Sequence, residues 1–164
     1  MTSDPSTGRK LACGGAWPGA LVLVVEDNPT LLRTTAQTLK AAGCEVAEAT
    51  TAVECFRAVE ERRPDLILMD VVLPDMSGID VCRRFKSNPD TAALFVVLIS
   101  GFQTSSDCHV KGLEAGADAY IMRPIQNREL VARVQALLRL EQVMAQLPGQ
   151  ASKPKPAKSA RARK

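Results

Sequence analysis

The strongest constraint on the fold of this chain is a set of three short runs in which apolar residues follow one another without alternation. They lie at Leu21–Val25, within residues 65–70 and at residues 95–99. A strand with one solvent-exposed face alternates apolar and polar residues, so continuous runs predict strands that are buried on both faces. Strands of this kind belong to parallel sheets that carry helices on both sides.

The segments between these runs are helix-like, and two shorter strands are predicted at residues 44–48 and Ala119–Met122. Asn28 is placed to cap the first helix, and Asn127 is placed to cap a long final helix. Five strand–helix units follow one another, without a GxGxxG or GxxxxGK[ST] nucleotide-binding motif. The sequence therefore predicts an α/β fold with a doubly wound, five-stranded parallel sheet and helices on both faces.

The charge of the chain is unevenly distributed and divides it into three parts. Residues 147–164 contain six basic and no acidic residues, and residues 1–20 carry a net charge of +1. Because the whole chain carries +3, residues 21–146 carry −4. We predict a flexible leader at 1–20, a domain with an extended final helix at 21–146, and a basic disordered tail at 147–164.

The five cysteines and the single histidine argue against two kinds of stabilising centre. The number of cysteines is odd and no CxxC pair is present, so neither a disulfide framework nor a zinc site is predicted. Buried, reduced thiols are the better interpretation, and they indicate a cytoplasmic protein. Glycines and prolines interrupt the apolar stretch near the N-terminus, so we predict no membrane span.

Polar side chains are placed where four of the predicted strands end. Glu26 and Asp27 follow the first strand, Asp70 ends the third, Ser100 follows the fourth and Arg123 follows the fifth. Ligands of such sheets bind at the carboxyl ends of the strands, where these groups converge. Carboxylates with no histidine or cysteine suit a hard ion, Mg²⁺ or Mn²⁺. A metal, a nucleophilic carboxylate, a hydroxyl and a cation are what phosphoryl transfer onto an aspartate requires.

Four motifs carry a resemblance to a known family: VVEDNP, LILMDVVLPDMSG, LIS and YIMRP, in this order. Together they resemble the response-regulator receiver domain of two-component signalling over roughly residues 20 to 140. The resemblance implies a flavodoxin-like strand order of 2-1-3-4-5. It also implies a phosphorylatable switch in a two-component or phosphorelay system, which works by binding partners and is not an enzyme.

The resemblance also implies a role for each residue of the site. Asp70 would accept the phosphoryl group, and Asp27 would bind Mg²⁺ directly. Glu26 would act on the metal mainly through water, and the backbone carbonyl of Val72 would complete the protein ligands. Ser100 would donate a hydrogen bond to a phosphoryl oxygen.

Arg123 and Tyr120 are the two positions at which the resemblance leaves alternatives open. The family usually has lysine before the proline of the last motif, and Arg123 keeps the charge but replaces a compact ammonium with a planar fork. A scaffold that does not respond to phosphorylation is therefore an alternative function. Tyr120 matches the aromatic residue that turns inward when the hydroxyl moves, but it is equally well interpreted as a core aromatic.

A Mg²⁺-dependent phosphatase with Asp70 as nucleophile is a further alternative in the enzyme class. That chemistry normally needs a second acid close behind the nucleophile to protonate the leaving group, and Val71 and Val72 stand there instead. In the family, side chains at the positions of Val72 and Phe102 flank the water that hydrolyses the acyl phosphate. Because both are apolar here, we expect slow self-dephosphorylation.

The implied partners are a sensor histidine kinase or phosphotransfer protein and a downstream protein effector. Too few residues follow the domain for an output domain, which predicts a stand-alone receiver. An apolar stripe on the last helix, including Val143, Met144 and Leu147, favours a protruding helix that forms a homodimer or leads to an effector, over a helix end that packs only on its own sheet. No aromatic residues interleave with the basic residues of the tail, so nucleic acid is an unlikely partner.

Overall fold

The computed structural model describes residues 19–101 and 106–147. Five strands and five helices alternate within these ranges. They are β1 (Leu21–Val25), α1 (Pro29–Ala41), β2 (Glu45–Ala49), α2 (Ala52–Glu61), β3 (Leu66–Asp70), α3 (Gly78–Ser87), β4 (Phe95–Ser100), α4 (Ser106–Glu114), β5 (Ala119–Met122) and α5 (Asn127–Ala145).

The strands form one parallel sheet in the order β2-β1-β3-β4-β5. This order confirms the predicted doubly wound fold. Every residue of β1 and β4 is buried, and so are the first four residues of β3. The continuous apolar runs therefore do mark strands that are covered on both faces. Strand β2 begins one residue later than predicted and lies at the edge of the sheet.

The two faces of the sheet bury separate apolar cores. On one face, Leu23, Met69 and Leu98 pack with residues of α2 and α3. On the other face, Val24, Leu68 and Ile99 pack with residues of α1 and α5. Alternate residues of one strand thus contribute to opposite cores, as the pleat of a strand requires.

Two aspartates fasten the amino ends of the strands. Asp65 donates its backbone N–H to the carbonyl of Leu21 at 2.9 Å, and its carboxylate accepts from the N–H of Leu21 at 2.7 Å. Asp118 makes the same pair of bonds to Val96, at 2.8 Å each. The first holds β3 to β1, and the second holds β5 to β4.

The helix starts follow the predicted capping in one case and depart from it in another. The side chain of Asn28 accepts from the N–H groups of Thr30 and Leu31 at 3.0 and 3.1 Å, which confirms it as the cap of α1. The prediction for α5 was wrong, because Asn127 is the first helical residue and Gln126 precedes it without a side-chain cap. A residue type that favours capping does not become the N-cap merely by lying near the start of a helix. The N-cap residue must also have extended backbone angles, and here that residue is Gln126.

The predicted leader and tail lie outside the described residues, apart from positions 19, 20 and 147. Their proposed bounds stay predictions. No helix within 19–101 and 106–147 is long and apolar enough to cross a membrane.

Candidate functional site

The carboxyl edge of the sheet brings together the polar residues that follow the strands. In the sheet register Asp70 pairs with Ile99, and Ser100 pairs with Met122. The backbone N–H of Arg123 donates to the carbonyl of Ser100 at 2.8 Å. The ends of β3, β4 and β5 therefore lie side by side at this edge, as the strand-end rule predicts.

The guanidinium of Arg123 joins two carboxylates at the centre of this edge. Its Nη1 lies 2.7 Å from Oε2 of Glu26 and 3.2 Å from Oδ2 of Asp70. The side chains of Glu26 and Asp70 are only 3% and 12% exposed, and that of Arg123 is 19% exposed. Charges that are this well buried need a partner, and one guanidinium serves both carboxylates.

Burial is the largest influence on Glu26 and raises the pKa of its carboxyl group above the ordinary value. The hydrogen bond from Arg123 acts in the opposite direction, while the nearby charge of Asp70 raises the pKa further. The backbone N–H of Asn28 also donates to Oε1 of Glu26 at 3.2 Å. The buried acid is therefore held by donors on both of its oxygens.

The two oxygens of Asp70 have different partners. Oδ2 faces Arg123, whereas Oδ1 accepts from the backbone N–H of Val72 at 2.7 Å. The carbonyl of Val71 accepts from the N–H of Gly78 at 2.8 Å, and Val72 bridges to Ser77. The loop after β3 thus folds back on itself and fixes the orientation of the carboxylate.

Gly78 lies so close to this strand end that no side chain fits. A Cβ atom there would lie 2.2 Å from the backbone oxygen of Asp70 and 3.1 Å from Cα of Val71. Real Cβ atoms essentially never approach backbone atoms at the shorter distance. Glycine is therefore required for the close approach of α3 to the strand that carries Asp70.

Asp75, in the same loop, makes a contact that the sequence interpretation missed. Its carboxylate accepts from the N–H groups of Ala52 and Val53 at 2.9 and 3.0 Å, at the start of α2. The hydrogen bond from Ala52 is the largest cause of the lowered pKa of Asp75. An acidic residue in a turn gives no indication in sequence of which distant helix end it will cap.

Ser100 is the most enclosed polar residue of the edge. The residue is 1% exposed, and its Oγ has no hydrogen-bond partner among the described residues. A buried hydroxyl without a partner is costly, so Oγ of Ser100 is a candidate donor of a hydrogen bond to a ligand at this edge.

Tyr120 lies on β5 with its ring under α4. Its Oη is also buried without a partner in the described part of the chain. The ring packs against the core that contains Leu98 and stacks on His109. The structure therefore places Tyr120 in an inward position, which both the switch and the core interpretations allow.

The predicted metal ligands are only partly brought together. Asp27 is exposed, and within 19–101 and 106–147 no three Asp, Glu, His or Cys side chains are grouped as metal ligands. The donor set nevertheless fits a hard divalent ion, because Glu26, Asp27 and Asp70 carry one negative charge each against the single positive charge of Arg123. All of these donors are oxygen atoms, as Mg²⁺ prefers.

A groove of about 360 Å³ opens beside Arg123. It lies between α1 and the segment that leads into α5, and its lining includes Leu31, Ile99, Pro124 and Leu130. The walls are mainly apolar, whereas the end next to Arg123 is charged. Phe102, which is predicted to flank the approach of water to Asp70, lies outside the described residues.

This fold and this edge define a receiver domain. Residues 22–135 match the response regulator receiver domain, and the chain belongs to that family. The family and the strand order confirm the resemblance that the four motifs carry.

Two relatives of the chain are named as a response regulator and a transcriptional regulatory protein. It is 42% identical to the DNA-binding response regulator MtrA of Mycolicibacterium smegmatis over 118 residues, which are 72% of this chain and 50% of that protein. It is 38% identical to the phosphate regulon transcriptional regulatory protein PhoB of Pseudomonas aeruginosa over 121 residues, which are 74% of this chain and 52% of PhoB. The chain thus spans about half the length of these relatives.

Solved structures show the same fold. A CheY-like receiver domain protein from Methanospirillum hungatei matches with a TM-score of 0.69 and 32% identity, over 75% of this chain and 96% of that one. The receiver domain of a signal transduction histidine kinase from Syntrophus aciditrophicus matches with a TM-score of 0.68 and 32% identity, over 73% of this chain and 90% of that one.

Proposed function

We propose that the protein accepts a phosphoryl group on Asp70, with Mg²⁺ or Mn²⁺ as cofactor, and thereby changes its binding to partner proteins. The observation that carries this proposal is the contact between Arg123 and Asp70 at the carboxyl edge of the sheet. This contact supports the proposal because Asp70, the acceptor that the family resemblance implies, has a cation beside it.

The proposed chemistry is the transfer of a phosphoryl group from a donor to the carboxylate of Asp70. An oxygen of Asp70 attacks the phosphorus, a new O–P bond forms, and the N–P bond to a phosphohistidine donor or the O–P bond to a small donor breaks. The guanidinium of Arg123 and the hydroxyl of Ser100 donate hydrogen bonds to the phosphoryl oxygens. The ordering of Asp70 by the N–H of Val72 keeps the carboxylate aimed while this happens.

The metal would be held by Asp27, Asp70 and the backbone carbonyl of Val72, with Glu26 acting mainly through water. When bound, the ion supplies positive charge against the phosphoryl oxygens and the carboxylates. Because Arg123 alone serves Glu26 and Asp70, the site retains uncompensated negative charge that a divalent ion neutralises.

The partners that fit this role are a sensor histidine kinase or phosphotransfer protein as donor and a protein effector as target. The groove beside Arg123 offers an apolar surface on which a donor helix can dock close to Asp70. Apolar side chains that suit a second copy of the chain are exposed on α5, at Leu140 and Val143, and two residues beyond its end, at Leu147. The site would operate in the cytoplasm, as a binding switch and not as an enzyme.

Nucleic acid is a partner that the name of one relative mentions. The expectation that it is not a partner is not confirmed, because MtrA is named as a DNA-binding regulator and PhoB as a transcriptional regulator. The chain covers about half of each of these proteins. We therefore confine the proposal to the receiver function and leave DNA binding to those relatives.

Incubation with acetyl phosphate and Mg²⁺, followed by intact mass, tests the proposal. We expect a gain of one phosphoryl group that needs Mg²⁺ and is lost in Asp70→Asn and Asp27→Ala. Asp80→Asn is the matched control, because Asp80 is an exposed acid of α3 that pairs with Arg83 and makes no hydrogen bond to the predicted site residues. An equal gain in Asp70→Asn contradicts the assignment of the acceptor, and no gain in the unmodified protein favours the scaffold alternative.

A further inference from the structure

His109 on α4 lies flat against the ring of Tyr120 on β5. The ring centroids are 4.5 Å apart and the ring planes differ by 13°, which is a stacked arrangement. His109 is the only histidine of the chain and Tyr120 is its only tyrosine. Both residues are half-buried.

The same face of α4 presses on the tyrosine ring one turn further along the helix. A Cβ atom on Gly112 would lie 2.9 Å from both Cδ2 and Cε2 of Tyr120, and 3.0 Å from Cδ1 of Leu98. Residues 109 and 112 are three positions apart and therefore share one side of the helix. The lack of a side chain at Gly112 makes the space that the ring fills, and His109 closes one side of it.

The hydroxyl of Tyr120 does not explain why the ring stays inward. Its Oη is buried and has no hydrogen-bond partner among the described residues. Burying such a group costs free energy, so contacts of the ring itself have to compensate. The stacked imidazole and the packing against Leu98 and Gly112 are the contacts in place to do so.

We propose that His109 is a positioning residue, which holds Tyr120 inward by stacking and so sets the balance between inward and outward positions of the ring. The inference rests on the proposed function and takes Tyr120 as the switch aromatic that the family resemblance implies. The ring would emerge on a surface that already exposes Val110, Leu113 and Met122. His109 thereby sets how often the ring of Tyr120 is exposed on that surface.

The matched pair of variants is His109→Ala and His109→Phe. Alanine removes the stacking face, whereas phenylalanine keeps an aromatic face of similar size. From the usual strength of aromatic pairs, we expect alanine to reduce the ratio of inward to outward ring by about fivefold. Phenylalanine should restore the ratio.

The single tyrosine makes this balance directly observable. Biosynthetic labelling with 3-fluorotyrosine gives one ¹⁹F resonance, and its shift between H₂O and D₂O reports exposure of the ring. In the unlabelled protein, the ring protons of His109 should show cross-peaks to those of Tyr120 and a ring-current shift that Tyr120→Leu removes. Thermal unfolding of each variant verifies that it is folded.

The expected result is a more exposed fluorotyrosine in His109→Ala and an unchanged one in His109→Phe. The proposal is overturned if the two variants give the same exposure, or if His109 shows no ring-current shift from Tyr120. Phosphoryl uptake is measured by mass in the same samples, so that the proposed function is tested separately from the stack. A chain that shows the stack but takes up no phosphoryl group would refute the proposed function and leave the positioning role intact.

Discussion

Nη1 of Arg123 lies 2.7 Å from Oε2 of Glu26, and the two residues are 97 positions apart in the sequence. They follow β5 and β1, which are separated in the sheet by β3 and β4. The guanidinium therefore spans the carboxyl edge and passes Asp70 on the way. One side chain links the two halves of the site.

Loss of Arg123 should destabilise the fold. Arg123→Gln leaves the buried Glu26 without its cation, and we expect a loss of about 2–4 kcal/mol in the free energy of unfolding at pH 7. Urea unfolding measures this change. Glu26→Gln in the same chain should recover part of the loss, because the more deeply buried of the two unpaired carboxylates is then neutral, while Asp70 still lacks its cation.

Arg133→Gln is the control for that experiment. Arg133 pairs with Glu129 on α5, and both side chains are about half exposed, at 52% and 51%. Such pairs contribute roughly 0–1 kcal/mol. Equal losses in the two arginine variants would mean that the pair at the strand ends adds nothing to stability.

Gly78→Ala should damage both the fold and the site. The new Cβ would meet the backbone oxygen of Asp70, which cannot move without displacing the strand end. We expect a loss of about 1–3 kcal/mol in stability, together with slower phosphoryl uptake. Gly101→Ala is the comparison, because its Cβ would have nothing within 4 Å. If both variants unfold at the same urea concentration, the close approach at Gly78 is not constraining.

Asp75 should give the protein a dependence on acid that an amide removes. Its pKa is lowered from 3.8 in the folded chain, chiefly by the N–H of Ala52. A lowered pKa means that the carboxylate stabilises the fold above about pH 3.8 and that this contribution is lost as the pH falls through the folded-state value. Asp75→Asn should therefore be less stable at neutral pH and should lose less stability on acidification. Parallel curves of stability against pH for the two proteins would contradict this.

The lifetime of the acyl phosphate should depend on Val72 and Phe102. Val72 is 67% exposed, but its apolar side chain cannot orient an attacking water, and Phe102 is predicted to hinder the approach of that water. Val72→Asn together with Phe102→Glu supplies polar groups at both positions. We expect the phosphorylated protein to decay up to about a hundredfold faster after removal of the donor, as followed by mass. Equal decay in the two proteins would show that these side chains do not govern access of water.

Much of the fold could be predicted because its determinants are local. Continuous apolar runs gave β1, β3 and β4, and the rule for strand ends put Glu26, Asp70 and Arg123 on one edge. Cys44, Cys55 and Cys82 are buried, as expected for packing residues. Burial raises the pKa of the Cys55 thiol to about 12 and that of Cys82 to about 11, so both are unreactive at neutral pH.

What could not be predicted depends on contacts between distant elements. The capping of α2 by Asp75 joins positions 23 residues apart, and no pattern in either segment indicates the other. The stack of His109 on Tyr120 depends on which face α4 turns to the sheet. The start of α5 at Asn127 depends on backbone angles that residue identity alone does not determine.

The hydrogen bonds between Asp65 and Leu21 fix the register of β3 against β1. Two hydrogen bonds set this register at the amino end of the strand, and Asp70 follows Asp65 by five residues. The side chains of successive strand residues point to opposite faces of the sheet. Adding or removing one residue between Asp65 and Asp70 would therefore turn the side chain of Asp70 away from Arg123. The number of residues in a buried strand thus determines the position and the orientation of the carboxylate at its end.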